Sequence, residues 1–555
     1  MSFDIRISGE QVVYGRIEIS FEKECPIDYV TVLTPSGRTE TVFPFQKRFV
    51  DFIYSEEGWE DTLVGEDFIY ACRYTPEEIG DYTVKACKDG ACLSSRNFRV
   101  SKGEDHGYIE VSKKDCRYFS YTDGTPFFWL GINLCFPTAY EVSDGMEFGR
   151  SDAVATLGLR QYERWFKKCA ENGVSVVRIW IGHSYFTPDA EETYRFCDAQ
   201  WEKIDRIVSL ARQYHIKLKL TLEHFRDFKN NNQPPIFRKS LLNGGVACQN
   251  MKEWLTSEAY QKAWLYKVEE LSKRYRGDPT VCMIELWNEM NAVNAEKDLV
   301  IAWNEKFLPR VKELFPRQLV TNSIGSLDAK EVQEYYRAFC WEKSDVLQVH
   351  RYLDQGARHK ICGGDVIPSV QEALSFMLSE KKPLLLAETG AVNNRHSGEF
   401  RFYSCDDRGI IFVDSVYTPL FSGSAGCGNI WHWDRRYVES KNLYPYFAPL
   451  AKLVENVDFT EEAFSAEDLS TDDAYILLLK GKTVTLGFIR NKKDSWRSSL
   501  RDGAPVASIE KISLPITVTS AKLYPIWEED TTHLRIENRH PVFENLLYGV
   551  LFRCV

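Results

Sequence analysis

The stretch IELWNEMNAV, residues 284–293, runs from apolar residues into Trp287, Asn288 and Glu289, with a second carboxylate at Glu285. A buried, unpaired carboxylate is costly, and it either shifts its pKa or finds a partner. Glu289 is therefore a surface acid just past a strand, or an acid held in a pocket for chemistry. Comparable endings recur along the chain: PLLLAET closes on Glu388, LQVHRY brings His350 and Tyr352, VVRIWI carries Arg178, and GNIWHWD carries Trp431 and Trp433. Two carboxylates on opposite sides of one pocket suit hydrolysis of a glycosidic bond. One is a protonated acid for the leaving oxygen, the other an ionised nucleophile.

That chemistry requires pKa values pushed apart. Arg178 beside Glu388 would keep that carboxylate ionised, and Tyr352 would donate a hydrogen bond to the same group. Asn288 can present an amide to a ring hydroxyl. Tryptophan offers a flat apolar face on which the C–H groups of a sugar ring can pack.

These residues converge only if their strands share one interior. From residue 125 onward, apolar segments at 127–133, 174–181, 216–223, 281–289, 318–323, 345–352, 383–389 and 427–433 read as strands. Helical stretches separate them. Trp201, Ile204, Ile207, Val208, Ala211 and Tyr214 repeat at helical spacing, as do Tyr260, Trp264, Val268 and Leu271. Eight such strands predict a (β/α)8 TIM barrel with insertions.

In a barrel strand, alternate residues face the helices and the interior. On that rule Glu285, Trp287 and Glu289 point inward from the fourth strand, and Val176, Arg178 and Trp180 from the second. Gln348, His350 and Tyr352 point inward from the sixth strand and Glu388 from the seventh, while Asn429, Trp431 and Trp433 share one face of the eighth. One parity rule thus gathers Arg178, Glu289, His350, Tyr352, Glu388 and Trp431 near the carboxyl ends of strands, where barrel enzymes place their sites. The third strand, KLKLTLEHF, is less obedient. The rule turns Lys219, Thr221 and Glu223 inward, and His224 joins them only through a bulge or a strand ending. Glu285 reads as structural, paired with Lys219.

Residues 1–102 read as short strands and hairpins of a β-sandwich, residues 103–448 as the barrel domain, and residues 449–555 as a second, sandwich-like β domain. The segment DFIYSEEGWEDTLVGEDFIYACRY, with Tyr54 and Trp59, is long for a hairpin. It either packs the sandwich against the barrel or caps a cleft. Otherwise the cleft takes its shape from HSYFTPDAEETYRF and FRDFKNNNQPPIF.

Asn288-Glu289 ending the fourth strand and Glu388 ending the seventh resemble clan A glycoside hydrolases, in particular family 5, the cellulase/mannanase family. ELWNE is similar to that family's acid/base strand, HRY to its sixth-strand His-x-Tyr, IWHW to its eighth-strand tryptophan, and Arg178 to its second-strand arginine. The resemblance spans residues 120–440. It implies Glu289 as acid/base, Glu388 as nucleophile, retention of anomeric configuration, and substrate contacts from Arg178, His224, Asn288, His350, Tyr352, Trp431 and Trp433. The sequence departs from the family at TLEHFRDF, where Glu223 precedes His224 and two charges follow.

Composition narrows the alternatives. Hydrophobic content of 44% and charged content of 27% are ordinary for a soluble globular protein. A net charge of −11 argues against nucleic acid or anionic membrane as partner. No apolar run approaches a membrane span, and MSFDIRISGE has no basic and apolar leader pattern, so a cytoplasmic protein is expected. The fifteen cysteines form no framework, and Cys87 and Cys92, flanking KDGA, read as reduced thiols on a hairpin. Cys135 and Cys427 read as packed thiols. His183, after the second strand, is either solvent-exposed or sugar-binding. No His-x-x-x-His or similar ligand spacing occurs, so neither metal nor cofactor is expected. The expected function is a retaining β-glycoside hydrolase of β-mannoside or β-glucoside type, acting on oligosaccharides. The alternatives are an endo-acting β-mannanase or β-glucanase, and a non-catalytic carbohydrate-binding barrel.

Overall fold

The computed structural model describes residues 4–22, 27–137, 156–183, 185–189, 194–224, 242–243, 246–247, 250–293, 295–396 and 398–555. FRDFKNNNQPPIF and part of HSYFTPDAEETYRF, expected to shape a cleft, lie outside them.

Parallel strands Gly131–Asn133, Val176–Trp180, Lys217–Thr221, Val281–Glu285 and Leu319–Thr321 pair in that order. Leu347–His350 pairs in parallel with Leu384–Glu388. Backbone contacts carry the run across its gaps. Asp345 N donates to Val320 O at 2.9 Å, Thr389 bridges Ile430, and Gly426 bridges Trp129 beside the first strand. The strands therefore form a ring of parallel segments. All five residues of the second, third, fourth and seventh strands are buried, as parallel strands covered on both faces require. Helices Gly158–Glu171, Asp198–Gln213, Glu258–Tyr275, Lys297–Leu314, Lys330–Ala338, Val366–Met377 and Ile410–Phe421 follow the seven strands in turn.

Several strands are shorter than their apolar runs. Pro126–Phe127 pairs antiparallel with Phe119–Tyr121 in a small separate sheet, and the first ring strand starts at Gly131. The third strand ends at Thr221 and the fourth at Glu285. At the eighth position the chain makes only single bridges, because His432 at φ 56° turns it immediately after Trp431.

Residues before the ring form two antiparallel sheets, ordered Arg6–Gly9, Ile17–Glu22, Glu60–Tyr74, Phe45–Tyr54 and Thr39–Val42, Tyr29–Leu33, Gly80–Lys88, Ala91–Val100. Ile17, Ile19 and Cys72 of the first sheet and Val30, Val32, Val84 and Val100 of the second share one apolar core. Cys87 and Cys92 are cross-strand neighbours on the last hairpin, free thiols with Sγ atoms 3.0 Å apart. After the ring, a five-stranded and a three-stranded antiparallel sheet pack around Ile476, Ile489, Phe543 and Phe552. Helix Phe447–Val454 crosses from the ring into this part, so the expected boundary between residues 448 and 449 falls within a helix. No described helix is long and apolar enough to cross a membrane.

Buried charge joins the first β unit to the ring. Arg73 grips Asp205 of the second helix through two hydrogen bonds, of 2.8 and 2.6 Å, and Tyr275 donates to the same carboxylate. At the tip of the long hairpin, Glu60 accepts from Leu159 N at 2.7 Å and from Tyr185 OH at 2.5 Å. A carboxylate here caps the first turn of helix Gly158–Glu171, where the helix dipole favours negative charge. Arg160 lies 3.6 Å over the Tyr54 ring. The Tyr54–Trp59 segment thus packs the β unit onto the ring.

The Arg73–Asp205 pair makes stability depend on pH. Burial alone would push the Asp205 carboxyl up, but Arg73 and Arg16 outweigh it and hold the group well below the carboxylate range. A depressed folded-state pKa contributes stability above the unfolded value, about 3.9, and loses it as pH falls below that value. Asp205→Asn strands a buried guanidinium and is expected to cost about 3–5 kcal/mol at pH 7. In denaturant unfolding, the gap between wild type and variant should narrow as the pH is lowered below about 4.

Candidate active site

Arg178, projecting inward from the second strand and fully buried, organises the carboxyl end of the ring. Its Nη1 donates to Glu388 Oε1 and, at 3.3 Å, to Asn133 Oδ1. Its Nη2 donates to Asn288 Oδ1 at 2.6 Å. Its Nε donates to Glu285 Oε2 at 2.7 Å and Thr221 Oγ1 at 3.1 Å. Every edge of the guanidinium is occupied, as a buried arginine requires. Tyr352 OH donates to Glu388 Oε2 at 2.6 Å, so the two oxygens of Glu388 are held by different donors. Burial and the Glu388 charge push the Tyr352 phenol well up, which keeps it a donor.

Glu289 faces Glu388 from the end of the fourth strand. Its backbone is left-handed, at φ 49° and ψ 55°, a strained conformation for a residue with a Cβ and one that clusters at functional sites. Glu289 N donates to Ser323 Oγ at 3.0 Å, which helps to hold the turn. His350 Nδ1 lies 2.8 Å from Glu289 Oε1 and 3.5 Å from Glu388 Oε2. Burial raises the Glu289 pKa, the Glu388 charge adds to the rise, and His350 opposes it.

Both carboxylates open on a cavity of about 440 Å³ whose walls include Trp180, Asn288, Asn291, Ser326, Asp328, Tyr352, Asp354, His396 and Trp431. Trp180 and Trp431 lie with ring centroids 5.2 Å apart on one side of it. Asn288 Nδ2 is buried and has no partner among the described residues, which leaves it a donor for a ligand hydroxyl.

The structure brings Arg178, Asn288, Glu289, His350, Tyr352, Glu388 and Trp431 together, but three other expectations are corrected. Trp433 does not line the cavity. It is fully buried, edge-on to Trp431 and to Phe136 with centroids 5.0 Å away in each case, because the left-handed His432 breaks the alternation. Glu223 does not point into the ring. The strand has ended at Thr221, and Glu223 turns to the helix layer, accepting from Lys267 at 2.7 Å and Trp264 at 3.0 Å. The same ending moves His224 to the mouth of the ring, stacked on Trp180 at 5.1 Å, where it backs that ring and is not on the cavity wall. His183 is buried and stacked on Phe136 at 4.2 Å. Cys135 and Cys427 are buried thiols whose pKa values burial raises.

Sequence reasoning did not assign Trp180 or Asn133 to the site. Parity turned Trp180 inward two residues after Arg178, and that was signal enough to include it. Asn291, Asp328, Asp354 and His396 lie beyond strand ends, where periodicity carries no information.

Among the described residues, two groups offer atoms that a cation could use, Glu289 with His350 and Glu388, and Asp328 with Asp354 and His396; within each the atoms lie within 4.8 Å of one another. In the first they are engaged with one another, and in the second His396 Nδ1 already sits 2.5 Å from Asp354.

Residues 140–412 match the family model for cellulase (glycosyl hydrolase family 5). Mannan endo-1,4-beta-mannosidase F of Aspergillus clavatus is 27% identical over 22% of this chain and 26% of its own length. The probable mannan endo-1,4-beta-mannosidase F of Aspergillus flavus is 22% identical over 43% of this chain and 55% of its own. The chain thus spans between about a quarter and about half the length of these curated relatives. A Bacteroides vulgatus crystal structure, provisionally named a glycoside hydrolase, superposes with a TM-score of 0.59 at 13% identity, covering 99% of this chain and 100% of that one. That likeness extends the shared fold over the flanking β units.

Removing Arg178 should leave Glu285 and Glu388 buried without their main counter-charge. Arg178→Leu is expected to cost about 3–5 kcal/mol of stability, measured by denaturant unfolding. Residues 140–412 thus carry a match to glycosyl hydrolase family 5, and the two carboxylates of that stretch converge on one cavity.

Proposed function

We propose that the chain is a retaining β-glycoside hydrolase that cleaves β-linked oligosaccharides of the β-mannoside or β-glucoside type by double displacement. The observation that carries this reading is the carboxylate pair: an oxygen of Glu289 lies within 4.8 Å of an oxygen of Glu388. Retaining enzymes hold their carboxyl groups about 5–5.5 Å apart, whereas inverting enzymes leave roughly 6.5–9.5 Å for a water.

The surroundings divide the roles. Glu388 receives a guanidinium and a phenol and attacks the anomeric carbon. Glu289, its pKa raised by burial and by its neighbour, holds the proton for the leaving oxygen. It then takes a proton from the water that releases the sugar. Asn288 Nδ2 meets a ring hydroxyl, and Trp431 with Trp180 supplies the apolar face. A barrel that only bound sugar would have no need of both carboxylates in these opposed environments. In this reading the ring is a (β/α)8 barrel of residues 103–448, and the β-sandwich of 1–102 and the sandwich-like 449–555 do no chemistry. The chain of parallel segments and the two-sheet cores support it.

The names of the fungal relatives favour a mannoside and also support a second reading, endo attack on a mannan backbone. Product size separates the two: exo action releases one sugar length from every oligomer, endo action a spread of sizes at early times.

Glu388→Ala should abolish turnover and remain folded, and azide should restore activity with a product of inverted configuration. Glu289→Ala should keep activity on 2,4-dinitrophenyl glycosides, whose leaving group needs no protonation. Opposite responses would exchange the roles. The pH profile of kcat/KM should fall as pH rises through the raised pKa of Glu289, because only the protonated form donates. Glu289→Ala assayed on the dinitrophenyl substrate should lack that fall.

A further inference from the structure

Beneath the cavity, and not lining it, lies Glu285, fully buried four residues before Glu289. It accepts from Arg178 Nε at 2.7 Å, Thr221 Oγ1 at 2.6 Å and Gln348 Nε2 at 3.2 Å, with Lys219 Nζ 3.3 Å away. Lys219 and Gln348 are themselves hydrogen-bonded. Gln348 is tied further to Asn322 O at 3.0 Å and Thr321 Oγ1 at 3.3 Å. Glu285, at the end of the fourth strand, therefore sits in a cradle drawn from the second, third, fifth and sixth strands.

Its effect on Arg178 is geometric. A guanidinium next to a carboxylate favours a bidentate pair in which two N–H groups hold both oxygens. Here Arg178 does not chelate Glu388. Glu285 holds its Nε edge, one terminal nitrogen reaches Glu388 Oε1, and the other reaches Asn288. Glu388 Oε2 is left to Tyr352. A chelated carboxylate would have both lone-pair edges committed to one cation and would be a poorer nucleophile, and Asn288 would lose the contact that aims its amide.

We propose that Glu285 is a positioning residue. By pinning the Nε edge of Arg178 it prevents a bidentate Arg178–Glu388 pair and splits the arginine between the nucleophile and Asn288. The proposal rests on Glu388 being the nucleophile. Lys219 supports the arrangement from the third strand: its Nζ lies 3.3 Å from Glu285 Oε2, and although burial lowers the amine to about 8, the Glu285 charge opposes that fall. Groups that orient the ligands of a metal site commonly matter about 10–100-fold when removed, and an effect of that order is expected of a residue that orients Arg178.

The test uses 2-deoxy-2-fluoro-β-mannosyl and -glucosyl fluorides, which trap the covalent sugar on the nucleophile, with the labelled peptide read by mass spectrometry. Wild type should be labelled at Glu388 by at least one probe. If neither probe labels Glu388, the functional reading falls, and this inference with it. Given that label, Glu285→Gln should be labelled at Glu388 about 10–100-fold more slowly. The double variant Lys219→Met with Glu285→Gln removes both charges, and should recover thermal stability without recovering the labelling rate. Glu285→Asp keeps the charge but draws it back by one methylene, and it carries the same test if the glutamine variant does not fold; labelling at least about threefold slower is expected. Labelling of the single variants within twofold of wild type would overturn the proposal. So would recovery of rate together with stability in the double variant, because Glu285 would then serve charge balance alone.

Discussion

The structure depends on one constraint: a guanidinium placed in the closed interior of a strand ring must have every N–H satisfied. Arg178 has no access to water, and its unpaired charge would cost several kcal/mol. Glu285 and Glu388 supply the countercharge, while Asn133, Thr221 and Asn288 take its remaining directions. Because those partners come from the first, third, fourth and seventh strands, satisfying the arginine also fixes the relative positions of the groups around the cavity. Glu388 is held in place by the same contacts that stabilise the interior.

Glu289 stands apart from this cluster. Its left-handed backbone turns it out of the strand and toward Glu388, on the side of His350 and away from the arginine's direct reach. Two carboxylates close in space thus sit in different surroundings, Glu388 between the Arg178 guanidinium and the Tyr352 phenol, and Glu289 buried beside His350 and the like charge of Glu388. The strain of that turn is offset locally by Ser323 and by the short helix Met290–Ala292 that follows it. The flanking β units contribute by docking, not by facing the cavity. Glu60 at the hairpin tip fastens the loop of Tyr185, which adjoins His183 and the Phe136–Trp180 aromatic cluster behind the platform.

Much of this was legible from the sequence, because a period of two along an apolar strand is a strong geometric statement. Arg178, Glu285, Gln348, His350 and Glu388 all lie where alternation put them. The rule failed where strands end. Glu223 and Trp433 each follow a residue that has left the ladder, and an alternation extended past that point assigns the wrong face. His224 was reachable only through such an ending, and the ending brought it beside Trp180 without putting it on the cavity wall. Asp328, Asp354 and His396 belong to loops, whose paths depend on packing between distant parts of the chain. The family resemblance pointed to the carboxylates and the strand order, but not to Asp328 and Asp354 on the cavity wall.

The account turns on Glu388 acting as a nucleophile held by Arg178 across a short gap from Glu289. Proton NMR of the first sugar released from an aryl β-glycoside tests this most directly, because the anomer seen before mutarotation records the number of displacements. The account predicts that the β-anomer appears first and the α-anomer only later. Initial release of the α-anomer would mean a single displacement by water and would contradict it.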